Sequence, residues 1–410
     1  MSMSQRGIAT RPASGCPVVD IQWEGPMREA LAGHLMLDEL RGMGPVIKVL
    51  EGASFFMVTN HEDVLRVAQN PATFPQTLKV FATGETMPFV PIPEFLNGPM
   101  HTKWRRLLAP YFSPREALKW EERIRERAAE LIEAILDKGE CDFTADFALR
   151  YPTSIFLEIM GLPVDQLEDL LEWETVILHS DVEQGSDGRH VAQGAVIEYF
   201  MTAIATRRAQ APEERPPGLV TEAMNWSIDG EPVSDEDLLR FYLLMFMAGL
   251  DTVTAELGYT FLHLATHPAD RKQIVDNPAI IPKAVEELLR LYPIVNPPRE
   301  AAEDTEIAGC PVRKGELLVL SLPSAGRDDS AYPDALTADF ERGGRPHLSF
   351  GAGPHRCLGS HLARHELVIA LEEWHKRIPE YWVKEGGSIT ETAGAMMSLN
   401  SLPLQWTARS

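Results

Sequence analysis

The segment Phe350-Gly351-Ala352-Gly353-Pro354-His355-Arg356-Cys357-Leu358-Gly359 concentrates residues that can do chemistry. Glycines at 351 and 353 permit positive φ and let a large planar ligand come close to the backbone. Cys357 stands just before a helical pattern, flanked by His355 and Arg356. Helix N-termini and neighbouring cations favour the thiolate over the thiol. A thiolate surrounded by backbone N–H groups suits an iron whose ligand must donate electrons under restraint. A lone cysteine near a Gly-rich turn is most often a structural residue; this arrangement favours a ligand.

Three further groups stand out. His101 and Arg105 are four apart in His101-Thr102-Lys103-Trp104-Arg105-Arg106 and share a helical face. Such a basic pair suits a carboxylate-bearing ligand. Asp251-Thr252 lies inside a strongly apolar stretch, where polar side chains are costly and need a reason. A hydroxyl beside a carboxylate can relay protons through water, and a threonine hydroxyl can also loosen a helix. Glu287-Leu288-Leu289-Arg290 is an i,i+3 ion pair by spacing, but Glu122-Arg123-Ile124-Arg125 has the same spacing, so the pattern alone decides nothing. His263/His267 and His361/His365 have the spacing of helical zinc ligands, without an H-E-x-x-H pattern or an evident third ligand.

The elements that position these residues are mainly helical. Residues 1–20 read as a flexible leader. Val46–Leu50 and Phe55–Thr59 flank a Gly-containing turn and predict a hairpin. From about residue 62 to 292 helical patterns dominate, among them Pro114–Lys138, Asp165–His179 and Ala192–Arg208. Ser234-Asp235-Glu236-Asp237 resembles a capping box, and the pattern then runs to Pro268. That predicts one buried helix of roughly 33 residues, about 50 Å long. Val312–Ser321 and Ser398–Trp406 read as strand, and a helix is expected from Leu358 to about Lys376. The fold class is mainly α with small β-sheets, one domain over residues 21–410.

The chain has 410 residues and a formal net charge of −22, which argues against nucleic acid as a partner. Hydrophobic residues make up 44% and charged residues 24%, ordinary for a globular protein and wrong for a disordered one. The longest apolar run, Phe241–Leu250, is far short of the roughly 20 residues that span a bilayer. No membrane segment and no secretory signal are expected. The four cysteines, Cys16, Cys141, Cys310 and Cys357, are scattered, which predicts reduced thiols in a cytoplasmic protein.

The pattern Phe-Gly-x-Gly-x-His-x-Cys-x-Gly at 350–359 resembles the haem-binding loop of the cytochrome P450 superfamily. The resemblance covers nearly the whole chain from about residue 40. It is strongest to the bacterial camphor-hydroxylase branch, through Ile281-Pro282, Glu286–Arg290, Glu373–Pro379 and Leu402–Trp406. It implies the P450 fold, a triangular helical prism with a long central helix, and haem b as cofactor. Cys357 would be the axial ligand of the haem iron, shielded by Phe350 within the loop bounded by Gly351 and Gly359. His101, Arg105, Arg299 and His355 would hold the propionates. Asp251 and Thr252 would deliver protons during oxygen activation, and Glu287 and Arg290 would form a structural pair. Phe89, Leu244, Met247, Val295 and Met396 match positions that line the substrate pocket.

The activity implied is hydroxylation of a small apolar substrate with O2. Electrons would come from a [2Fe–2S] ferredoxin reduced by a flavoprotein ferredoxin reductase. Because ferredoxins are acidic, Lys103, Arg105, Arg106, Arg356 and Arg364 are candidates for docking. Two departures bear on the substrate. No tyrosine occurs between Val80 and Pro110, where the camphor hydroxylase has one that bonds the ketone, and Phe89 aligns near that place. The branch's Asp-Gly before the propionate arginine is replaced by Pro297-Pro298. These changes point away from camphor and toward a larger terpenoid or norisoprenoid ketone such as an ionone. A non-catalytic haem carrier or sensor is the alternative, though a sensor has no need of Asp251-Thr252.

Overall fold

The computed structural model describes residues 15–27, 29–80, 90–179 and 186–408. The chain divides into two compact units, neither contiguous in sequence. The first contains the described parts of Met1–Pro88 with Gly258–Ser360 and Gly386–Leu402; the second contains those of Phe89–Leu257 with His361–Glu385 and Pro403–Ser410.

The first unit is built on a five-stranded sheet in the order Val18–Val19, Val46–Val49, Phe55–Val58, Leu317–Leu320, Pro298–Glu300. Val46–Val49 and Phe55–Val58 form the expected hairpin, with Val46 opposite Val58. Phe55–Val58 and Leu317–Leu320 are buried at every position, as continuous apolar runs require of central strands. They pair in parallel, Phe55 opposite Leu317, and Arg299 is carried on the neighbouring strand opposite Leu318. Gly25–Met27, Thr390–Ala393 and Ser398–Ser401 form a second, three-stranded sheet.

Two expectations are corrected here. Part of the supposed leader is structured: Val18–Val19 pairs with Lys48 and Val49, while residues 1–14 lie outside the described residues. Cys16 and Cys310, 294 positions apart and both buried, form a disulfide rather than two thiols. Sequence spacing could not reveal this, because sheet topology places the two ends together.

The second unit is helical: Gly98–Leu108, Pro114–Leu118, Glu121–Leu136, Arg150–Met160, Leu167–His179, Ser186–Ala209 and Asp235–Gly249, with most of Ser360–Arg377. Its core includes Phe147 stacked on Tyr151 at 5.2 Å and against Trp374 at 5.5 Å. The expected Ser398–Trp406 strand is split. Ser398–Ser401 belongs to the first unit, whereas Pro403–Gln405 joins Glu140–Asp142 and Trp382–Val383 in the second.

The expected uninterrupted helix is two helices, Asp235–Gly249 and Asp251–Thr266, meeting at Leu250. The Thr252 hydroxyl donates to the Ala248 carbonyl at 3.0 Å. Thr254 Oγ1 lies 3.0 Å from the Leu250 carbonyl and 2.9 Å from that of Ala148. Side-chain bonds to carbonyls four residues back loosen a helix, and here they bracket the break. The unit boundary falls beyond it, between Leu257 and Gly258. Asp235–Thr266 is apolar and long enough to cross a membrane, yet 61% of its most apolar window is buried in the protein, as befits a core helix.

Candidate functional site

The Gly-rich loop lies in the first unit. Gly351 and Gly353 take φ of +67° and +69°. A Cβ on Gly353 would fall 2.4 Å from the Ala68 carbonyl oxygen, so only glycine fits there. Gly351 N–H donates to the Leu348 carbonyl at 2.7 Å, and Cys357 N–H donates to the Phe350 carbonyl at 2.8 Å. These bonds close the loop and set Cys357 three residues before the helix Ser360–Arg377. Cys357 is exposed and in no disulfide. The position of an absent Gly359 Cβ is 4.0 Å from its sulfur.

Other expected residues belong to the same unit. Arg299 is buried, donating to Gln76 Oε1 and to the Pro298 carbonyl at 2.6 Å. Val295 and Met396 are brought opposite one another by an isolated antiparallel bridge. Flanking it, Asn296 N–H donates to Ala395 O and Met397 N–H to Ile294 O, each at 2.8 Å. Nothing in the sequence linked these two segments, nor Gln76 with Arg299.

Glu287 and Arg290 meet in a two-pronged pair, 2.8 Å and 2.7 Å, with both side chains buried. Arg290 also donates to the carbonyls of Gly326 and Ala335, at 2.6 Å and 2.8 Å. Arg342 Nε and Asp339 N–H complete the shell around Glu287, at 2.8 Å and 3.0 Å. Sequence reasoning missed Arg342, which lies far along an irregular stretch. The equally spaced Glu122–Arg125 forms no such pair: Arg125 bonds Glu372 and Glu373, each at 2.8 Å. His263 gives one ring nitrogen to Tyr292 and the other to Asp270, both at 2.9 Å, which leaves it no lone pair for zinc.

The second unit holds the remaining residues. His101 is buried on the helix Gly98–Leu108, and burial first, then the nearby Arg105 charge, lowers its pKa. Leu244 is buried and Met247 partly exposed on Asp235–Gly249. Asp251 is buried and Thr252 partly exposed at the start of the next helix. Phe89 lies outside the described residues. Lys103, offered for docking, is paired with Asp229.

A family model described as Cytochrome P450 matches residues 34–374. The chain belongs to the cytochrome P450 family. A probable cytochrome P450 127A1 of Sinorhizobium fredii is 35% identical over 359 residues, covering 87% of this chain and 84% of the relative. The crystal structure of CYP101J2 matches with TM-score 0.84 at 28% identity, covering 98% of this chain and all of that one. CYP101C1 matches with TM-score 0.85 at 26% identity over 97% of this chain. This P450 is therefore similar to the CYP101, camphor-type branch, and is a haem-dependent monooxygenase. The loop's chemistry fits a haem: an exposed cysteine outside any disulfide, and Gly353 where a Cβ would crowd the chain.

Proposed function

We propose that this P450 hydroxylates a small apolar terpenoid or norisoprenoid, such as an ionone, with Cys357 as the iron ligand. The observation that carries the assignment is the exposed Cys357, held by its N–H···O bond to Phe350 at the end of a loop whose turn at 353 only glycine can make. In this reading Phe350, Gly351 and Gly359 shape the loop, and His101, Arg105, Arg299 and His355 meet the propionates. Bound haem would supply reductive activation of O2. Asp251 and Thr252 carry the protons this consumes. To serve, the Thr252 hydroxyl must leave the Ala248 carbonyl, giving up a bond worth about 1 kcal/mol. Leu244, Met247, Val295, Met396 and Phe89 would supply the apolar walls.

Electrons would reach the protein from a [2Fe–2S] ferredoxin and its flavoprotein reductase. Lys103, Arg105, Arg106, Arg356 and Arg364 are the docking cations, Lys103 also pairing with Asp229. The location proposed is cytoplasmic; the Cys16–Cys310 bridge is unusual there, but burial shields it from reductants. Residues 21–410 act as one domain, since neither compact unit is a contiguous stretch that could fold by itself.

The test is titration of the purified haem protein with camphor and with β-ionone, following the Soret band. A high-spin shift with β-ionone and none with camphor is expected. A shift with camphor alone would overturn the substrate assignment. Cys357→Ser should abolish the thiolate-type spectrum; its persistence would overturn the ligand assignment.

A further inference from the structure

Trp104 and Trp226 have no part in the proposed chemistry, yet their rings belong to a contiguous track of oxidisable side chains. The buried residues of the helix Gly98–Leu108 are His101, Trp104 and Leu108, so Trp104 sits one turn from His101 on the same face. The Trp226 ring centroid is 6.5 Å from that of Trp104, edge-on, and the Tyr111 ring is 5.2 Å from Trp226. Trp226 Nε1–H donates to the Tyr111 hydroxyl oxygen at 2.9 Å. Both tryptophans are buried, whereas Tyr111 is partly exposed. The track therefore leads from the interior to the surface, within one compact unit.

Local structure holds these rings in register. Asp229 and Gly230, at φ of +56° and +87°, make the two-residue turn of a hairpin that pairs Ile228 with Glu231. At its root Val233 N–H donates to the Trp226 carbonyl at 2.9 Å, and at its tip Asp229 pairs with Lys103 on the Trp104 helix. Phe241 packs against both indoles, 6.2 Å from Trp104 and 5.3 Å from Trp226. Packing alone would be served by phenylalanine at every place. Two indoles and a phenol add something that phenylalanine lacks, the ready release of an electron.

We propose that Trp104, Trp226 and Tyr111 form an electron-transfer track that discharges the haem site when no substrate consumes its oxidising equivalents. This rests on the proposed contacts of His101 and Arg105 with the haem. Tyr111 loses one electron, which passes through Trp226 and Trp104 and lowers the oxidation of the site by one equivalent. The Tyr111 O–H bond breaks and its proton goes to water. A hydrogen-atom donor in solution, such as ascorbate, then restores the phenol. Tyr242 makes a poor terminus. Its ring is 5.5 Å from Phe241, but it is buried, and its hydroxyl donates to the Val220 carbonyl at 2.9 Å, which cannot keep a proton.

The test uses the purified haem protein without substrate, mixed with hydrogen peroxide as the source of oxidising equivalents and freeze-quenched for electron paramagnetic resonance. A tyrosyl signal is expected in the wild type, lost in Tyr111→Phe and in Trp226→Phe, and retained in Trp226→Tyr, which restores an oxidisable ring. Peptide mass spectrometry should find oxidation at Tyr111, Trp226 and Trp104, suppressed by ascorbate. Y111F and W226F should bleach their Soret band severalfold faster than wild type. A tyrosyl signal absent from the wild type, unchanged in Y111F or unchanged in W226F would overturn the proposal. Equal loss in W226F and W226Y would assign Trp226 a packing role and overturn it as well. Y111F removes only a hydroxyl, so an unaltered ferric Soret band before peroxide is added shows that its fold is intact. The underlying reading fails separately: haem retention like wild type in His101→Ala combined with Arg105→Ala would remove the haem contacts from which the track begins.

Discussion

At the scale of single residues, burial decides which charges are structural and which are available. Arg290 saturates Glu287 and two carbonyls in the interior, so its loss strands several groups at once. Arg290→Leu is expected to cost about 3–5 kcal/mol in urea denaturation, and Glu287→Leu in the same chain to recover part of it. Glu366 shows the opposite case, a carboxyl pushed up to about 8 by burial. Below its ordinary value of 4.5 the folded and unfolded chains both hold the proton; between 4.5 and about 8 only the folded chain does. Stability therefore falls as pH rises through that window, by the order of 5 kcal/mol for this group when complete. Glu366→Gln should remove that decline in the urea midpoint. His34, lowered to about 3 by burial and then by Arg327, works in the other direction, and its contribution is lost as pH falls below 6.5.

At the scale of elements, the break at Leu250 is the feature that places Asp251 and Thr252. Polar side chains in an apolar helix marked the place, and the two helix carbonyls taken by threonine hydroxyls, Ala248 and Leu250, give the cause. Gly249 completes it, since a Cβ there would stand 2.7 Å from the Phe156 ring. Gly249→Ala is expected to destabilise by about 1–3 kcal/mol through overpacking. Phe156→Leu in the same chain should relieve most of that, and a double-mutant cycle on the urea midpoints checks the coupling. Without the Phe156 contact, the two single effects would simply add.

At the scale of the whole molecule, a net charge of −22 opposes any acidic partner, so docking must rely on a local cluster of cations. Reduction by the proposed ferredoxin should accelerate at low salt despite the overall repulsion. Arg364→Glu or Arg356→Glu is expected to raise the KM for ferredoxin roughly tenfold, with kcat little changed. Lys103→Glu is expected to act in the same direction. An unchanged KM for all three, followed in NADH-driven turnover, would place the docking surface elsewhere.

Local chemistry was legible along the chain. The spacing at 350–359 identified the loop and the turn after Leu50 set the hairpin, because each signal lies within a few residues; beside Asp251-Thr252 one unbroken helix was expected, and the break is a finding of the structure. The tertiary structure alone decided long-range pairings. It joined Cys16 to Cys310, Val295 to Met396, Arg299 to Gln76 and Glu287 to Arg342. It also split the last strand between two sheets. Such partners are set by how helices and strands pack, and burial then fixes each group's charge; neither is written in the spacing of residues along the chain.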